Sequence, residues 1–153
     1  MCSYCGCDQL DVIGRFMAEH GEIVNAAGAL RAAARAGDRA AARRAADAVA
    51  GLLHPHTHAE EVGLFAVMRE QAEFTDTVDR LCGEHEELDR MLHAVRGGDL
   101  GGVDAFVDAL RHHIDREDNG LFPASAVGLS GADWDRVLEQ TPPAVQAGAT
   151  AGR

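Results

Sequence analysis

Aromatic residues are scarce in this chain of 153: five phenylalanines, one tyrosine and one tryptophan. They and the β-branched residues nowhere alternate with period two, so strands are not expected. Only four prolines interrupt it, leaving long stretches in which a helix can run unbroken. Positive charge is also short, with 14 basic side chains against 25 acidic ones and a formal charge of −11. That balance excludes nucleic acid and anionic membrane as partners. No apolar stretch approaches the roughly 18 residues of a membrane span. The opening Met1-Cys2-Ser3-Tyr4-Cys5-Gly6-Cys7 has neither the basic region nor the apolar core of a signal peptide. A cytoplasmic chain is expected, and its four cysteines are then reduced or metal-bound rather than a disulfide framework.

What is present reads as helix throughout. The length suits one domain that buries roughly 68–70% of its unfolded surface, so no metal is needed merely to fold. A first helix is expected from Asp8 to Gly37, with Ile13, Phe16, Met17, His20, Val24 and Ala27 on one stripe. A second starts at Asp38, meets Pro55 and continues to about Glu70. A third spans about Thr75 to Arg96, ended by Gly97-Gly98, and a fourth runs from Leu100 to Phe122, stopped by Pro123. Ser130 caps a short fifth helix through Trp134 to Gln140, before a loose tail. The fold class is all-α, an up-down-up-down antiparallel four-helix bundle with a short fifth C-terminal helix.

Ten residues occur twice. His56-x-x-x-Glu60-x-x-x-Leu64-Phe65 returns as His113-x-x-x-Glu117-x-x-x-Leu121-Phe122, and residues four apart share one helical face. In an antiparallel hairpin, two residues equally distant from the turn lie side by side. His20 and His56 have their midpoint at Asp38, His85 and His113 at Asp99, and Glu60 and His85 straddle the Gln71-to-Phe74 break. All three midpoints fall on turns identified from caps and glycines, so His20, His56, Glu60, His85, His113 and Glu117 are expected in one layer. Facing supports the same six. His56 and Glu60 continue the stripe of Val49, Leu53, Leu64 and Val67, whereas His54 and His58 share theirs with Asp47, Glu61 and Arg69, and His112 falls among Asp108, Asp115 and Asn119.

A lone histidine on an apolar stripe would be an ordinary core residue. Six polar groups in one apolar layer have only each other or a cation for partners. Four imidazoles and two carboxylates are too many for one tetrahedral zinc and too rich in nitrogen for magnesium or calcium. They suit two Fe ions. The order His20, His56-x-x-x-Glu60, His85, His113-x-x-x-Glu117, together with Glu-Glu-x-x-Leu-Phe at 60–65 and Glu-x-x-x-Leu-Phe-Pro at 117–123, resembles the hemerythrin-like family, the HHE cation-binding domain, over about residues 8–125. Ferritin-type sites use the other order, Glu-x-x-His. The resemblance implies an oxo- or hydroxo-bridged di-iron centre, with His20 and His56 on one iron, His85 and His113 on the other, and Glu60 and Glu117 spanning the pair.

One departure shapes the functional expectation. Oxygen-carrying members have a further histidine four residues after the one on the third helix, and here that position is Asp89. An iron with one fewer imidazole keeps an exchangeable position or recruits Asp89 as a seventh ligand. Exchangeable positions favour chemistry with peroxide, nitric oxide or dioxygen over reversible carriage. The expectation is a non-haem di-iron protein meeting oxidative or nitrosative stress, with O2, NO or peroxide as its small-molecule ligand. The alternatives are a non-catalytic sensor, store or donor of iron, and a helical scaffold that is empty or holds zinc. No dedicated general acid or base is visible, and Glu61, Asp89 and Asp115 read as solvated groups. The Cys-rich segment 1–7 offers Cys2, Cys5 and Cys7 for metal binding or thiol exchange, or has no role, and Cys82, three residues before His85, reads as a buried free thiol. Tyr4 would close off solvent if that segment covers the bundle end. The Ala/Arg stretch from Arg31 to Arg44 reads as two solvated helix ends around a turn. Residues 126–153 form the short helix and tail.

Overall fold

The computed structural model describes residues 7–145, and side-chain surroundings from Asp11 onward. The expectations for Cys2, Tyr4, Cys5, the Cys7 side chain and the end of the tail lie outside the described residues. Helix α1 (Cys7–Arg35) is the first rod. The second joins α2 (Arg39–Glu60), a π-helical turn (Glu61–Phe65) and α3 (Ala66–Arg69). The third is α4 (Ala72–Arg96). A 3-10 turn (Leu100–Gly102), α5 (Val103–Arg116), a second π-helical turn (Glu117–Leu121) and α6 (Phe122–Gly128) make the fourth, and α7 (Gly131–Gln140) is the short fifth helix. No strand occurs among the described residues.

The two hairpin turns are built alike. Gly37 and Gly98 have φ of 67° and 112°, backbone that glycine adopts without steric cost. Asp38 N–H reaches Ala33 O and Gly37 N–H reaches Ala34 O, and the same pair of bonds joins Asp99 to Ala94 and Gly98 to Val95. Both are Schellman stops. Each is followed at once by an aspartate cap, Asp38 accepting from Ala41 N–H and Asp99 from Gly102 N–H. Helices stopped and restarted within three residues must turn back on themselves. Accordingly α1 packs on α2 and α5, and α4 on α2 and α5, closing a ring of four antiparallel rods.

The rods bury two apolar clusters. One lies toward the hairpin turns and includes Ile23, Leu30, Leu53, Leu88, Leu92, Phe106 and Leu110. The other lies at the opposite end and includes Phe16, Leu64, Phe65, Leu81, Phe122 and Trp134. Each such side chain contributes about 1.5–3 kcal/mol by leaving water. Helix α7 closes the second cluster: Ser130 and Asp133 form a reciprocal capping box, Trp134 and Val137 are buried, and Arg136 pairs with Glu70 at the end of the second rod.

Four expectations are corrected. Met17 is 45% exposed, because Val12, Phe16, Ile23, Ala27 and Leu30 form the buried seam and Met17 lies about 100° around the helix from Phe16. Pro123 does not stop the fourth rod, which continues to Gly128. It follows a π turn whose Phe122 N–H bonds Glu117 O, and a widened turn has already shifted the α-helical ladder where the proline lacks its N–H. The third rod begins at Ala72, a turn earlier than Thr75. Arg31 is not merely solvated: it pairs with Asp104 and Asp108 on α5.

Candidate metal centre

Between the two apolar clusters lies a polar layer. The structure brings together all six residues singled out by the repeat: His20 from α1, His56 and Glu60 from α2, His85 from α4, His113 from α5 and Glu117 at the start of the second π turn. All are buried, and both glutamates are fully so. Their inward atoms form two groups in which every donor lies within 4.8 Å of every other, His20 with His56, Glu60 and Glu117, and His85 with His113, Glu60 and Glu117. Both groups contain the same two carboxylates.

Short distances mark the layer. His56 Nε2 stands 3.0 Å from Glu60 Oε1 and His113 Nε2 2.9 Å from Glu117 Oε1. His20 Nε2 lies 3.2 Å from Glu117 Oε1, and the Nε2 atoms of His85 and His113 face each other at 3.0 Å. Despite this crowding, His20 Nε2, His56 Nε2 and all four oxygens of Glu60 and Glu117 lack a hydrogen-bond partner of acceptable geometry. Orphaned buried polar atoms are costly, and these share one space. A cation there would satisfy them together, so the donor set fits a metal ion.

Outside the layer, carboxylates fix the rings. His20 Nδ1 is 2.8 Å from Asp118 Oδ1, His56 Nδ1 is 2.7 Å from Glu19 Oε1, and His113 Nδ1 is 2.8 Å from Glu84 Oε1. A carboxylate beside Nδ1 holds the proton on that nitrogen and leaves the Nε2 lone pair facing inward. His85 differs, for its Nδ1 has no hydrogen-bond partner and lies 3.7 Å from Glu61 Oε1. Every one of these partners is the immediate neighbour of another member of the layer: Glu19 precedes His20, Glu84 precedes His85, Glu61 follows Glu60 and Asp118 follows Glu117. Sequence reasoning missed this role, although the pairs Glu-His, Glu-Glu, Glu-His and Glu-Asp carried the signal. Phenylalanines complete the walls. Phe122 stacks on His20 with centroids 5.7 Å apart, Phe65 on His85 at 5.6 Å, and Phe16 meets the edge of His56.

Two carboxylates in a dry layer cannot both hold an unshared negative charge without a cation. Burial, and then the Glu117 charge, push Glu60 well above the ordinary carboxylate range. Burial acts on Glu117 in the same direction, but the close His113 and His20 imidazoles and the Glu60 carboxyl outweigh it and hold Glu117 well below that range. Of the two carboxyls, Glu60 is therefore the one pushed toward its neutral form in the metal-free protein. Burial lowers His113, yet Glu117 and Glu84 more than offset this and raise it above the usual imidazole value.

Other residues considered from the sequence fall outside the layer. Asp89 stands apart from the layer: its carboxylate is 65% exposed and bonds His54 Nε2 at 2.7 Å. The buried seam of α4 passes from His85 through Leu88 to Leu92, which turns Asp89 to the outside. Asp115 is exposed and accepts from Asn119. Glu61 is partly buried beside His85, and that imidazole lowers it. Cys82 is half-buried, takes a bond from Arg69, and is pushed up to about 11 by burial and by Glu61.

No helix of the described residues is long and apolar enough to cross a membrane. No curated protein and no solved structure matches the chain at a significant level. The profile of the hemerythrin HHE cation binding domain matches residues 11–125, more than half of the chain and the span that contains the whole polar layer. Domains of this kind bind metal ions, and the buried histidine and glutamate groups fit such a site. On that match, the chain belongs to the hemerythrin HHE cation-binding domain family.

Proposed function

We propose that the chain is a non-haem di-iron protein that handles peroxide, nitric oxide or dioxygen in oxidative or nitrosative stress. His20 and His56 hold one iron, His85 and His113 the other, and Glu60 and Glu117 span both. The observation that carries this reading is the sharing of both carboxylates by two donor groups, which one ion would not need. An iron held by two imidazoles and two carboxylates would keep positions open to a small ligand, and the pair would supply electrons to it.

The chain's own residues do the rest. Asp118, Glu19 and Glu84 keep protons on Nδ1 and so keep Nε2 of His20, His56 and His113 free to coordinate. Phe16, Phe65 and Phe122 exclude water from the layer. Asp89 turns outward to His54, so the His85 half gains no extra ligand there and retains room for a small molecule.

The alternative is a non-catalytic binder, an O2 or NO sensor or an iron store or donor. It is favoured by one observation, the absence of a short Nδ1 bond on His85, which makes that ion the easier one to release. Iron-loaded protein separates the two. Consumption of many equivalents of peroxide or nitric oxide, lost in His113→Ala, supports turnover. A stoichiometric, reversible spectral change without consumption overturns it in favour of the binder.

A further inference from the structure

The four imidazoles are not equally enclosed. Three have their Nδ1 tied to a carboxylate at 2.7–2.8 Å. The fourth, His85, has an unpartnered Nδ1 on a side chain only 5% exposed, and it lines a pocket of about 400 Å³ between α2 and α4. Glu61, Glu86, Asp89 and His54 also line it. Three of those are carboxylates, and no arginine is among the lining residues. The pocket of about 180 Å³ that touches His56 is different, since Arg15 lines it, and the Nδ1 of its histidine is already bonded to Glu19.

We propose that the pocket between α2 and α4 is the port through which a divalent cation reaches the His85–His113 half of the centre. Glu86 and Asp89 at the mouth draw the cation in, and Glu61, beside the His85 ring, passes it inward toward the layer. Three carboxylates around a concave surface concentrate cations and repel anions, and Glu61 Oε1 lies within 3.7 Å of the buried imidazole. The His54–Asp89 pair, 2.7 Å between its atoms, bridges the two helices across this mouth. The port rests on the two-metal reading of the layer, while adding a route that the layer itself does not specify.

The test is the rate of metal uptake, with final metal content as a separate readout. Metal-free protein is mixed anaerobically with Fe(II), and the free ion is followed with a chelating dye. Glu86→Lys combined with Asp89→Lys is expected to slow uptake about tenfold or more at low salt. The difference should shrink toward physiological salt, as the Debye length falls from about 30 Å to about 8 Å. Final iron content should match the parent, since neither residue belongs to the layer, and the milder Asp89→Asn should slow uptake in the same direction. The same reversals at the exposed Asp135 and Glu139 of α7 should leave it unchanged. Equal uptake by the port variant and the parent, or equal slowing by the α7 control, overturns the port. A parent chain that takes up no iron overturns the two-metal reading along with it, and final content distinguishes that failure from a change in rate alone.

Discussion

At the scale of single residues, the centre depends on where protons sit. Nδ1 carboxylates make three imidazoles ready ligands, so Glu19→Gln or Glu84→Gln should weaken metal binding about 10- to 100-fold, measured by competition with a chelator. Glu61→Gln should cost less, because His85 has no short bond to lose. Glu60 behaves in the opposite sense in metal-free protein. Its pKa is raised from 4.5 in the fold, so the unfolded chain ionises first and the fold loses stability as pH rises above that value. Glu60→Gln removes the penalty. Metal-free Glu60→Gln should therefore melt a few degrees higher than the parent at pH 7 to 8, by about 1–2 kcal/mol, with the gap closing toward pH 4.5; the same variant should lose metal. A parent that melts higher at neutral pH would contradict the burial of two carboxylates side by side. Cys82, pushed up to about 11, should resist alkylation at neutral pH, and peptide mapping after a short reaction should find it unmodified.

At the scale of elements, the ligand repeat and the π turns belong together. Steps of four drift about 40° each around an α-helix, and both rods relax through a π turn at or just after the glutamate, burying Leu64 with Phe65 and Leu121 with Phe122. Single π turns recur at functional sites. Gly63 sits in the first of them, and a Cβ there would overlap Thr141 Oγ1. Gly63→Ala should destabilise by about 1–3 kcal/mol, read by denaturant titration, and Thr141→Ala should recover part of the loss. The helices, caps and hairpin turns were legible because each leaves a local signature, such as Gly37-Asp38 and Gly98-Asp99. The passage through Pro123 was not legible, since a proline reads as a stop unless the preceding turn is known to be widened. Met17 misled for a related reason: a stripe drawn through Phe16 and His20 admits a neighbour on either side, and only packing decides between them.

At the scale of the whole molecule, two hairpins repeat one plan. His20 and His56 stand equally far from Asp38, as His85 and His113 do from Asp99, and the ring pairs have nearly identical centroid separations of 4.6 and 4.7 Å. That equidistance is readable from residue numbering alone, so the co-location of the six side chains is legible in the sequence. The outer carboxylates were not, because residues adjacent to a ligand point elsewhere on their own helix and find their histidine only across the bundle. The plan is broken where Glu61 replaces the shorter reach of Asp118, and there the pocket opens. The central claim is that this layer holds two metal ions, and its most direct test is metal content with the visible spectrum of protein purified without a histidine tag, beside His56→Ala and His113→Ala. Two irons per chain, with near-ultraviolet charge-transfer bands that both substitutions abolish, is the predicted result. A single zinc, or no metal, unchanged by either substitution, would contradict it.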